Sequence, residues 1–108
     1  MRKQYSRDDV YSCLIQSLHS SRAAEDFFRK HLGDDQLLST LIEMALENES
    51  DDARMEAAFW ISQFAADLLE PFKEKLEQLS QDDWESVASH ARTALDKISS
   101  IKTYVTAA

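Results

Sequence analysis

The sequence predicts an all-α fold of about six helices in three antiparallel pairs, and three observations carry that prediction. Apolar residues recur at intervals of three and four through most of the chain. The 108 residues include a single glycine, Gly33, and a single proline, Pro71. An all-β chain needs turn residues at every reversal, whereas helices joined by short polar turns need few breakers. Apolar residues make up 44% and charged residues 30%, the balance of a globular chain and not of a disordered one. The length suits one domain, residues 1–108, with a core that requires neither disulfide nor metal.

The elements follow in order. Val10, Tyr11, Leu14, Ile15 and Leu18 share one face of a helix from Arg7 to His19, with Ser6 as its cap and Asp9 in its first turn. Ala24, Phe27, Phe28 and Leu32 do the same for a second helix, Arg22 to Leu32, which Gly33 is expected to stop in a left-handed conformation. Leu37, Leu38, Leu41, Ile42, Ala45 and Leu46 define a third, Asp35 to Glu47. Ser50 caps a fourth, Asp51 to Ala66, that is apolar on nearly every side and so belongs in the middle of the domain or keeps a face for a partner. Pro71 suits the first turn of a fifth helix with Phe72, Leu76 and Leu79 inward. Ser80 and Asp83 open the sixth, which carries Trp84, Val87, Ala88, Ala91, Ala94, Leu95 and Ile98. The pattern weakens after Ile101, leaving a tail that frays or docks through Tyr104 and Val105. The pairs span roughly 7–32, 35–66 and 71–103.

The fourth and sixth helices align with each other. Ala53 matches Val87, Ala57 matches Ala91, Ile61 matches Leu95 and Phe64 matches Ile98, an offset of 34 residues. Each helix follows an acidic turn, Ser50-Asp51-Asp52 or Ser80-Gln81-Asp82-Asp83. A small residue at mid-helix lets a neighbouring pair approach closely, and larger residues four positions away fill the gaps. Periods of this size mark stacked helix pairs. The segments Ser50-Asp51-Asp52-Ala53-Arg54-Met55-Glu56-Ala57 and Val87-Ala88-Ser89-His90-Ala91-Arg92-Thr93-Ala94-Leu95 resemble the second helices of HEAT repeats. The resemblance covers roughly Asp35 to Ile98. It implies a HEAT-like short α-solenoid, with the first two helices as a degenerate leading pair.

Charge narrows the function. A formal net charge of −8 opposes direct binding to nucleic acid, which depends on Lys and Arg neutralising phosphate, and opposes anionic membranes. Asp8 and Asp9 interrupt what would have to be the apolar run of a secretory signal, and no stretch approaches the ~20 residues that span a bilayer. A cytoplasmic protein is expected. The lone Cys13, next to Leu14, reads as a small buried hydrophobe. His19, His31 and His90 have no zinc-ligand spacing and no Glu-x-x-His partner, so no metal or other cofactor is expected. One glycine builds neither a nucleophile elbow nor a phosphate loop. The paired carboxylates read as helix caps and solvated faces, so the chain is not expected to be an enzyme.

The acid is concentrated. Residues 34–70 hold ten acids (Asp34, Asp35, Glu43, Glu47, Glu49, Asp51, Asp52, Glu56, Asp67 and Glu70) against one base, Arg54. Stacked pairs would bring Glu47, Glu49, Asp51 and Asp52 beside Asp82, Asp83 and Glu85 as an acidic ridge. Trp60 and Trp84 lie close to that zone in sequence. Core is the commoner fate for each, but an exposed Trp60 would be a natural anchor. The expected partner-binding set is therefore Glu43, Glu47, Glu49, Asp51, Asp52, Glu56, Trp60, Asp82, Asp83 and Glu85. In size, acidity and helical make-up the chain resembles the immunity proteins of contact-dependent growth inhibition toxin systems. That resemblance implies a monomer that forms a 1:1 complex with a basic, nuclease-type toxin domain and occludes its active site. The alternative is a HEAT-like adaptor or assembly factor that binds a host protein or peptide.

Overall fold

Helix α4 (Asp51–Ile61) organises the architecture, because its sequence leaves it almost no face for water. Beyond Asp52, none of its residues is exposed. It is flanked by α1 (Arg7–Leu18), by its antiparallel partner α3 (Asp35–Glu47) and by α7 (Glu85–Ala107). Helix α2 (Arg22–Lys30) packs on α1, and the segment α5 (Ala66–Leu69), a 3-10 turn (Glu70–Phe72) and α6 (Lys73–Leu79) packs on α7. The computed structural model describes residues 5–47 and 50–107, the last seven as backbone only. Counting α5 to α6 as one broken segment, six helical segments and no strand occur among these residues. The radius of gyration is 13.6 Å, close to the ~13 Å of a compact domain of this length.

The core is continuous. Phe28, Leu14, Leu37, Leu38, Leu41, Ile42, Ile61, Phe64, Leu69, Leu76 and Leu79 are all at most 1% exposed. The aligned positions Ala53 and Val87, and Ala57 and Ala91, are buried in both helices. The small side chains of Ala57 and Ala91 let α4 and α7 pack side by side. The leading pair docks differently, since α1 lies on α4 while α2 reaches it through the stack of Phe28 on Trp60, centroids 5.0 Å apart.

Caps fix the helix starts, at Ser6 and Ser50 as the sequence suggests and at Ser21 besides. Ser6, Ser21 and Ser50 accept from the backbone N–H of Asp9, Ala24 and Ala53. The Asp34 carboxylate accepts from Gln36 N–H (2.9 Å) and from the Tyr5 hydroxyl (2.6 Å), which moors the N-terminal segment to the start of α3. Burial, and then the hydrogen bond to Asp34, push the Tyr5 phenol up to about 12. The same bond holds Asp34 below the usual carboxylate range.

Four expectations are corrected. Gly33 does not take a left-handed conformation; among the described residues the positive φ belongs to Ser20, at 67°. The α2–α3 link turns through a hydrogen bond spanning three residues, Asp34 N–H to His31 O at 3.0 Å, and needs no left-handed residue. Helix α4 ends at Ile61 and not at Ala66, because Gln63 and Phe64 donate to carbonyls three residues back. The Lys97 ammonium caps that exit by donating to the carbonyls of Ser62 and Phe64 (3.0 Å to Phe64), and Phe64 turns into the core. The third pair begins at Ala66 and not at Pro71, which instead sits in the 3-10 turn between α5 and α6 as a first-turn residue. The last helix starts at Glu85, which leaves Trp84 outside it. Its backbone runs on to Ala107; the side chains of Tyr104 and Val105 lie outside the described residues.

The Gly33 correction has a measurable consequence. A Cβ at Gly33 would meet nothing within 4 Å, and the backbone there is one that alanine adopts without strain. Gly33→Ala therefore restricts the unfolded chain at no cost to the fold and raises stability by about 0.5–1 kcal/mol, read as a higher midpoint in urea with an unchanged slope.

Candidate functional site

Two acidic turns meet at one end of the domain. The first leads into α4 at Asp51 and Asp52, and the second, between α6 and α7, carries Asp82 and Asp83 and leads into α7 at Glu85. Arg54 joins them. Its guanidinium pairs with Asp82 and with Asp51 (3.8 Å), and its Nε donates to the carbonyl of Ala45 at 2.8 Å. The side chains of Arg54 and Asp82 are only 16% and 18% exposed, so this pair is held more firmly than a surface ion pair. Asp82 in turn accepts from the backbone N–H of Trp84 at 2.8 Å. A chain of polar contacts thus runs from the end of α3 through Arg54 and Asp82 to the backbone of Trp84, whose indole stands in solvent, 43% exposed.

The other expected site residues fall into distinct environments. Asp52 and Asp83 are exposed and have no ion-pair partner among the described residues. Glu85 is exposed and pairs with Arg92 at 2.6 Å. Glu43 and Glu47 flank Arg7, at 3.4 and 3.0 Å, in exposed pairs that a partner could exchange at little cost. Glu49 lies outside the described residues. Glu56 is a structural residue: its carboxylate accepts from the Ser17 hydroxyl and from the Trp60 indole N–H (3.2 Å), tying α1 to α4. Trp60 is corrected outright. It is 2% exposed, stacked on Phe28, and its N–H also reaches Ser17 at 3.0 Å, so it offers no surface to a partner. The exposed tryptophan is Trp84.

Sequence reasoning missed three things here. Arg54 reads as the one base in an acidic stretch, but nothing in a linear pattern reveals that it crosses to Asp82. Trp84 could have been preferred to Trp60, because it sits between Asp83 and Glu85 while Trp60 lies in a helix apolar all round with Glu56 one turn away to receive its N–H. Arg7 pairs across 36 and 40 residues, a distance no local signal spans.

Among the described residues no group of three metal-ligating side chains assembles. Burial pushes the Cys13 thiol up, with Asp9 adding to it, which lowers its reactivity. His19 and His31 close α1 and α2, whereas His90 is half-buried within α7, its ring edge-on to Phe59 with centroids 5.7 Å apart. A groove of about 500 Å³ lies between the α4–α5 link and α7. No described helix is long and apolar enough to cross a membrane. No protein-family model, curated protein or solved structure matches the chain.

Two outcomes test this geometry. The two tryptophans sit in opposite environments, so acrylamide should quench wild-type fluorescence in two fractions. Trp84→Phe should remove the readily quenched one, and an unchanged quenching curve would place the exposed indole elsewhere. The second outcome concerns pH. Burial depresses the His90 imidazole, and Glu56 only partly opposes this. The folded state therefore disfavours the proton, and the stability this contributes is complete above the unfolded value near ~6.5 and declines as pH falls toward the folded one. Between about pH 7.5 and about pH 5.5, wild type should lose more stability than His90→Gln, as measured by urea midpoints.

Proposed function

We propose that this chain is a protein-binding inhibitor, an immunity protein that neutralises a basic, nuclease-type toxin by covering its active site. The observation that carries the reading is Trp84: a large aromatic side chain left in solvent between Asp83 and Glu85, its backbone N–H bound by Asp82, which Arg54 ties to the acidic start of α4 at Asp51. An exposed aromatic held in place before binding loses little freedom on docking. Surrounding carboxylates steer a basic partner toward it and pair with the Lys and Arg that such an enzyme presents to phosphate. Glu43 and Glu47 extend the charge along α3. In this reading the protein is itself not an enzyme and acts as a monomer in a 1:1 complex. The helix pairs α3–α4 and α6–α7 stack as HEAT-like units, which the buried alanines Ala57 and Ala91 support; stacking of this kind sets the two acidic turns side by side.

The experiment is a pull-down of tagged protein from the native host in low salt and in about 1 M salt, where the Debye length is roughly 3 Å. The expected result is one stoichiometric basic protein that survives the wash and whose nuclease activity the chain abolishes. Several weak partners, all lost in salt, would replace this reading with that of a HEAT-like adaptor. Against the recovered toxin, Trp84→Ala should weaken binding by about 2 kcal/mol, roughly thirtyfold, through faster dissociation. Asp52→Asn combined with Asp83→Asn should act mainly by slowing association.

A further inference from the structure

We draw no further inference here: the strongest candidate, the groove between the α4–α5 link and α7 lined by Ala65, Ala66, Thr93, Asp96, Lys97 and Ser100, has its one cationic group committed to capping the end of α4, and nothing in the structure shows what covers it.

Discussion

The guanidinium of Arg54 is the contact on which the acidic end of this protein depends. The first turn of α4 and the turn before α7 both carry carboxylates, and like charges brought together repel unless a cation lies between them. Arg54 supplies that cation from within α4, so the group that joins the two turns belongs to the helix at the centre of the fold. Its third contact, to the Ala45 carbonyl, satisfies a backbone acceptor at the end of α3 that would otherwise lack an intrahelical donor. The end of α3, the start of α4 and the turn before α7, the last 28 residues away from Arg54, are thereby fixed relative to one another by one planar side chain with several donors, a role a lysine ammonium would fill poorly.

The same logic of paired polar groups runs through the interior. Helix α4 must be enclosed because its apolar surface extends around most of its circumference, yet it carries Glu56 and an indole N–H into that enclosure. Ser17 resolves both, donating to the carboxylate and accepting from Trp60. Lys97 does the corresponding work at the other end of α4, where two carbonyls face a half-buried ammonium whose pKa is lowered by desolvation. Among the described residues no buried side-chain nitrogen or oxygen is left without a hydrogen bond. Unpaired buried groups cost stability, so these bonds specify the arrangement as well as tolerate it.

Much of the fold could be read from the chain. The limits of α3, the serine caps of α1 and α4, and the central place of α4 follow from periodicity and from short-range capping chemistry, which act within a few residues. What escaped notice depends on distant partners. Nothing near Ile61 announces that α4 stops there, because part of the reason is Lys97, 35 residues from Ser62. Gly33 looks like a helix terminator by type, but the turn is closed by the Asp34 N–H on the His31 carbonyl and uses no positive φ at the glycine. For the candidate surface, composition located the acid but could not separate carboxylates spent inside the fold, Glu56 and Asp82, from those left to solvent, Asp52 and Asp83. It could not say which tryptophan is enclosed, since that is a property of packing across helices.

The proposed function rests on what remains after structural demands are met. Glu56 and Asp82 are spent inside the fold, Asp82 also fixes the backbone of the exposed Trp84, and Asp52 and Asp83 are left to solvent. The central claim is that Arg54 couples the two turns into one surface, and a double-mutant cycle with Arg54→Met and Asp82→Asn, followed by urea unfolding, tests it most directly. A favourable coupling of about 1–3 kcal/mol is the predicted result. Additivity within roughly 0.5 kcal/mol would mean that the turns are held independently and would contradict the account.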